Sequence, residues 1–200
     1  MRKCRVVFRF LVVLLCVAVL LTGCLPSLSA TEKTFSKAGM SIALPRNFVE
    51  SERVGMTAYY TSREALVSII KEEFSILEEM NFNVVNLTLK QYAEMAIENN
   101  KQDSVVREEN GLISFEYQRE MNGKITASLA TIFKGSDAFW LVQFSCDQKD
   151  YEKYKTNKFI KWAKSFTVEP FDAESRDPSL INTTFSEATG CSMVGFLKLI

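Results

Sequence analysis

Twenty-four acidic side chains and no histidine bound the chemistry open to this 200-residue chain. Without histidine there is no Ser-His-Asp or Cys-His nucleophile, no histidine-ligated zinc and no general base of the usual kind. No glycine-rich phosphate loop of the Walker or Gly-x-Gly-x-x-Gly type is present either. Carboxylate pairs remain, of the sort that cleave glycosidic bonds. The nearest candidates are Glu116 with Glu120 and Glu72 with Glu73. Both pairs fall on strand-like segments without an evident cleft and read as solvated surface. The acidic run Lys71-Glu72-Glu73-Phe74-Ser75-Ile76-Leu77-Glu78-Glu79 could offer oxygens to calcium. It lacks the Asp-x-Asp-x-Asp-Gly loop, and its glutamates flank Phe74, Ile76 and Leu77. A short solvated helix or loop is the expectation, with a cation site as the alternative.

Those side chains have to be positioned by something, and the strongest pattern lies in residues 112–146. Three runs alternate with a period of two, the signature of half-buried strands. Ile113, Phe115 and Tyr117 share a face of the first run. Ile125, Ala127, Leu129 and Phe133 share one in the second, and Trp140, Val142, Phe144 and Cys146 one in the third. A three-residue turn, Met121-Asn122-Gly123, would pair Phe115 with Leu129 and put both apolar sets on one side. Gly135-Ser136 suits a type II′ turn, pairing Lys134 with Asp137, Leu129 with Val142 and Ala127 with Phe144. The expectation is a meander with one dominant core face. The opposite face mixes Ser114, Glu116, Thr126, Ser128 and Gln143 with Leu112, Ala130, Ile132, Phe139 and Leu141. It is covered in part by a second layer or is a partner surface.

Upstream, Thr34 to Leu44 reads as a hairpin turning at Lys37-Ala38-Gly39 and ended by Pro45. Thr57 to Thr61 and Ala65 to Phe74 read as a second hairpin. Thr88 and Gln91 form a capping box for a helix running to Asn100, with Leu89, Tyr92, Ala93 and Ala96 on its packing face. Ser104 to Arg107 offers a further strand before a turn at Glu109-Asn110-Gly111. Downstream, Asp147 starts a helix to about Ser165 that buries Phe159, Trp162, Ala163 and Phe166. Lys153, Lys155, Lys158, Lys161 and Lys164 line its outside, as a solvated face or as a contact for anionic headgroups.

The N-terminus carries an export pattern. Arg2, Lys3, Arg5 and Arg9 precede an unbroken apolar run from Phe10 to Leu21, too short to span a bilayer. The run ends in Leu21-Thr22-Gly23-Cys24, which resembles the lipobox of bacterial lipoprotein precursors. The resemblance implies a signal peptide over 1–23, diacylglyceryl transfer to Cys24, cleavage before it, and anchorage of the mature chain to the cell membrane on its extracytoplasmic face. More than one acyl chain is needed for stable anchorage. Removing four of the 24 basic residues and none of the 24 acidic ones leaves a net charge of −4. With no basic stripe, nucleic acid is not an expected partner.

Residues 24–33 read as the lipidated cysteine and a short tether, 34–169 as one domain, and 170–200 as a polar, mobile tail whose last residues turn apolar. Of the cysteines outside the signal, Cys146 lies on a core face and Cys191 in the tail. An extracytoplasmic location permits, without requiring, a bridge between them.

The order of strand-rich start, amphipathic helix, meander and C-terminal helix resembles the PsbP-like fold, shared with the Mog proteins and DcrB-type lipoproteins. The likeness rests on Gly39-Met-Ser-Ile-Ala-Leu-Pro45, the helix from Leu89 to Asn100, Phe139-Trp-Leu-Val-Gln-Phe-Ser-Cys146 and Phe159-Ile-Lys-Trp-Ala-Lys-Ser-Phe166. It implies an α+β fold in which an antiparallel sheet is sandwiched by helices, used as a binding or assembly module. It supplies no catalytic residues. The functional expectation is a non-catalytic lipoprotein that binds a protein partner in the envelope, with no cofactor and no metal. A small-molecule or cation receptor and a carboxylate-dependent hydrolase are the alternatives.

Overall fold

A computed structural model describes residues 31–121 and 123–172. The chain divides into two units, Met1–Glu32 and Lys33–Ile200. The fold below is that of the second, whose first strand begins one residue earlier, at Glu32. The expected signal peptide, Cys24 and the residues beyond 172 lie outside the described residues.

The centre is a seven-stranded antiparallel sheet. Its strands are β3 (Val49–Glu50), β4 (Ala58–Thr61), β5 (Ala65–Glu73), β6 (Arg107–Glu109), β7 (Leu112–Met121), β8 (Lys124–Lys134) and β9 (Ala138–Asp147). They lie in the order β3-β4-β5-β9-β8-β7-β6. A smaller sheet joins β1 (Glu32–Lys37), β2 (Met40–Pro45) and β10 (Thr167–Val168) in the order β1-β2-β10. The first hairpin turns through Ala38 and Gly39, whose φ values of 51° and 87° belong to the left-handed region that two-residue hairpins use.

The central sheet is buried on both faces, and this corrects the expectation of one dominant core face. Met121 pairs with Lys124 and Phe115 with Ala130, so the β7–β8 turn has two residues, not three. The one-residue difference sends the apolar sets of β7 and β8 to opposite sides. Phe115 and Tyr117 join Ala130, Ile132, Phe139 and Leu141 in one core. Leu129, Ala127, Trp140, Val142, Phe144 and Cys146 belong to the other. With a layer on each side, both alternating sets of a strand can be apolar without exposing either.

The β8–β9 register also differs from the expected one. Lys134 pairs with Phe139, Leu129 with Phe144 and Ala127 with Cys146. The offset is two residues, so the faces are unchanged. Ser136 and Asp137 make the turn, closed by Gly135 N donating to Ala138 O at 2.8 Å.

One face is covered by α1 (Phe74–Glu79) and α2 (Leu89–Asn99). The predicted capping box starts α2: Thr88 Oγ1 accepts from Gln91 N at 3.2 Å, and Gln91 Oε1 accepts from Thr88 N at 3.0 Å. Tyr92, Ala93 and Ala96 are buried, and the Tyr92 ring stacks on Phe139 with centroids 4.4 Å apart. The other face is covered by the small sheet and by the C-terminal helical segment. That segment is not one regular helix. After Asp147 caps a 3-10 turn it runs through α3 (Tyr151–Tyr154), a π-helical turn (Lys155–Phe159) and α4 (Ile160–Lys164). Tyr154 and Phe159 are five residues apart, and the wider turn lets both, with Tyr151, Trp162 and Phe166, face the same core. Each such aromatic side chain withdrawn from water contributes on the order of 1.5–3 kcal/mol.

The domain does not end at Pro170. Gly135 bridges to Pro170, and the Phe171 ring meets Phe74 edge-on at 5.7 Å, beneath Lys134 Nζ. β1 starts at Glu32, two residues inside the stretch expected as a tether. No described helix is long and apolar enough to cross a membrane.

Candidate functional site

The carboxylates that could have formed a catalytic pair are separated. Glu72 and Glu73 are neighbours on β5, so their side chains leave opposite faces of the sheet. Glu72 is buried, which corrects the solvated reading, and accepts from Tyr92 Oη at 2.7 Å. Glu116 and Glu120 leave the same face of β7, but four residues of strand put their backbones about 13 Å apart. Glu120 is exposed at the hairpin end.

Glu116 is likewise not a solvated side chain. It accepts from Lys155 Nζ at 2.6 Å, Tyr151 Oη at 2.8 Å and Arg107 Nη1 at 3.3 Å. Burial works against its ionisation, and the hydrogen bonds from Lys155 and Tyr151 outweigh it, so the carboxyl titrates below its ordinary value. Lys155 therefore points toward the sheet, unlike the outward row in which the sequence places it. Among the described residues no group of three or more acidic or cysteine side chains is arranged to hold a metal ion. Cys146 is buried, as expected of a core position, and burial pushes its thiol up to about 11. Its suggested partner Cys191 lies outside the described residues.

The concave site is elsewhere, at the end of the central sheet where β4 finishes and β5 begins. The ladder brings the end of β9 and the β7–β8 turn to the same edge: Thr61 pairs with Leu66, Ala65 with Cys146 and Thr126 with Asp147. The resulting cleft has a volume of 310 Å³. Leu66, Thr126 and Ser145 line it, with Tyr59 along one wall. Four cations, Arg53, Arg63, Arg119 and Lys124, line it against two carboxylates, Glu64 and Asp147.

The rim is held by local chemistry. In the β4–β5 turn, Ser62 Oγ accepts from Ala65 N at 3.0 Å and Ser62 N donates to Ala65 O at 2.9 Å, which fixes Arg63 and Glu64 at the tip. Tyr154 Oη donates to Glu64, and that bond holds the Glu64 carboxyl below its usual value and ties the turn to the C-terminal helical segment. Arg53 Nη1 donates to Tyr59 Oη at 2.9 Å, with the guanidinium 5.1 Å from the ring centroid. Thr126 Oγ1 donates to the Arg119 carbonyl at 3.2 Å. Lys124 lies 3.9 Å from Asp147, which also accepts from Lys149 N.

None of these cations is singled out by the sequence alone. They sit on four segments scattered from residue 53 to residue 124, and only the antiparallel register gathers them. The local signals were a serine two residues before Glu64 and a two-residue hairpin turn, and neither announces a site.

No family model and no curated protein matches the chain. Among solved structures it is similar to cyanobacterial PsbP (CyanoP) from Synechocystis sp. PCC 6803, at 14% identity and a TM-score of 0.48, over 73% of this chain and 97% of that one. It is also similar to the Ran-binding protein Mog1p of Saccharomyces cerevisiae, at 10% identity and a TM-score of 0.45, over 71% and 97%. A third is LpqN of Mycobacterium tuberculosis, described as involved in cell envelope biogenesis, at 10% identity and a TM-score of 0.42, over 70% and 91%. At such identities the likeness concerns the fold alone. The strands and helices themselves define the class: an α+β domain whose antiparallel sheet is covered by helices on one face and by a small sheet and a helical segment on the other.

Proposed function

We propose that this chain is an extracytoplasmic lipoprotein, held to the membrane by lipid on Cys24, whose domain is a non-catalytic binding or assembly module of the cell envelope. The anchor rests on the lipobox-like Leu21-Thr22-Gly23-Cys24 after the apolar run. The binding role rests on one observation: the carboxylates fit for acid–base work are tied to structural partners, while an open cleft at the β4–β5 end gathers four cations on a rim fixed by hydrogen bonds. A cleft of that kind holds a charged group without a poised base to transform it. An envelope protein is the leading occupant. A small-molecule receptor is the second reading, favoured by a volume at the lower end of the roughly 300–1,000 Å³ of ligand pockets.

The test is in-cell photo-crosslinking from position 63 at the rim of the cleft, in the native chain and in Cys24→Ala, with mass spectrometry of the captured species. One dominant envelope protein captured by the anchored form alone supports the reading. Equal recovery of both forms in the soluble fraction overturns the anchor, and no captured species in either form overturns the protein partner.

A further inference from the structure

The C-terminal helical segment has an outer face that runs against the charge of the chain. Its aromatic side packs on the sheet, which leaves Lys153, Thr156, Asn157, Lys161 and Lys164 exposed. No carboxylate occurs from Lys153 to Phe166, although the chain beyond the signal is net negative. Two lysines of the segment are used internally: Lys155 by Glu116 at 2.6 Å, and Lys158 by the Tyr154 ring, whose centroid lies 4.1 Å away. Lys161 is exposed and already has a partner. Lys153 and Lys164, at the two ends of the face, make no ion pair among the described residues. Lys153 adds only to the field at Glu64, which Tyr154 Oη already engages.

The place where the chain enters the domain is a second, independent observation. β1 and β10 both flank β2, and β10 follows directly on this helical segment. Ser165 Oγ accepts from Ala43 N at 3.0 Å, and the Phe48 ring meets Trp162 edge-on at 5.3 Å. The two-residue turn at Ala38 and Gly39 sets Lys33 and Thr34 beside the same end of β2. The start of β1 and the end of α4 therefore share one end of the small sheet, where Lys33 and Arg46 are exposed as well. Seven residues separate Cys24 from β1, a reach of at most about 25–30 Å. A chain tied to the bilayer at Cys24 keeps this end of the domain close to the headgroups.

Resting on the reading of Cys24 as the membrane anchor, we propose that the exposed face of the C-terminal helical segment lies on an anionic phospholipid bilayer, with Lys153 and Lys164 against the headgroups. The attraction of a lysine to an anionic surface falls off within a Debye length. The short tether brings the face within that range. α2, across the central sheet, is then turned away from the bilayer.

The experiment takes the protein from membranes of cells that express the full chain and reconstitutes it in protein-free phosphatidylcholine vesicles, with or without phosphatidylglycerol. A genetically encoded dansyl side chain replaces Asn157, in the middle of the exposed face, or Lys90 on α2. Spin-labelled lipid in the bilayer quenches a dansyl group that comes close to it. The expected result is strong quenching at position 157 and little at position 90, only where phosphatidylglycerol is present. Molar salt, which shortens the Debye length to about 3 Å, should relieve it. Lys153→Gln and Lys164→Gln should each lower the ratio of docked to undocked domain about fivefold, while Lys90→Gln leaves it unchanged. Equal quenching at the two positions, quenching at 157 that ignores phosphatidylglycerol or salt, or undiminished quenching in the double lysine variant overturns the proposal. Flotation of the same vesicles reads the anchor separately. Protein left behind overturns the anchor and the proposal with it, whereas protein that floats with position 157 unquenched overturns the proposal alone.

Discussion

Tyr92 Oη donates a 2.7 Å hydrogen bond to Glu72, joining the buried face of α2 to the second-to-last paired position of β5 in its ladder with β9. The carboxylate is only 7% exposed, so the phenol is part of what makes its burial tolerable. In Tyr92→Phe the stacked ring over Phe139 survives and the donor does not. The expected cost is about 1–3 kcal/mol, read as a lower midpoint in urea with an unchanged slope. A midpoint that does not move would show that other groups alone hold the carboxylate.

Glu116 gives the fold an acid-side dependence on pH. Its folded pKa lies below the ordinary 4.5, because the hydrogen bonds from Lys155 and Tyr151 outweigh the desolvation that would raise it. A carboxyl with a depressed folded pKa stabilises fully above its unfolded pKa, and that contribution is lost as pH falls through the folded value. The stability gap between the wild type and Glu116→Gln is therefore expected to be widest above pH 4.5 and to close below it. Denaturation curves at several pH values check this. A gap that is constant from pH 7 to pH 3 would mean that Glu116 acts by shape and not by charge.

The fold class, the capping box of α2 and the buried row of the C-terminal helical segment could all be read from residues 88–166, because each depends on a local period or a local cap. Register could not. Placing Phe115 and Leu129 on one face assumes that a sheet has one wet side, and here the helices take one face while the small sheet and the C-terminal segment take the other. The two-residue turn that follows from Met121 facing Lys124 is then the consistent one. The roles of Glu72 and Glu116 were hidden for a related reason. Their partners Tyr92, Tyr151 and Lys155 are distant in sequence, and only tertiary packing brings them within hydrogen-bonding reach. The cleft depends wholly on such long-range pairing, so its arginines left no local trace.

Gly135 illustrates a turn glycine retained for space. A Cβ at this position would lie 3.0 Å from Trp140 Nε1 and 3.4 Å from the Glu169 carbonyl oxygen. Ser136 N donates to that same carbonyl at 2.9 Å, and Gly135 bridges to Pro170, so the neighbours cannot retreat freely. Gly135→Ala should displace the indole or loosen the last strand from the β8–β9 turn, at a cost of about 1–3 kcal/mol. In a Trp162→Phe background the emission of Trp140 reports the outcome directly. A red-shifted spectrum with a lowered Tm is expected, and an unchanged spectrum at full stability would show that the turn yields without strain.

Cys146 makes the last prediction, on the alkaline side. Its side chain is 5% exposed and packs in the core between the sheet and the C-terminal helical segment. Burial raises the thiol from 9.0 to about 11, so at neutral pH the folded chain presents almost no thiolate there. Site-resolved alkylation with iodoacetamide should leave Cys146 unmodified in the native protein and label it completely in urea. The same shift has a thermodynamic consequence. Above pH 9 the unfolded chain releases this proton and the folded chain keeps it, so stability is expected to fall as pH rises from 9 toward 11. Tyr117, whose burial raises its phenol to about 12, adds to the slope from pH 10 onward. Cys146→Ala removes the thiol's share and should flatten the first part of that decline, at the price of a small cavity. If the variant and the wild type lose stability in parallel between pH 9 and 10, the thiol is not what the alkaline limb reports, and the tyrosines carry it alone.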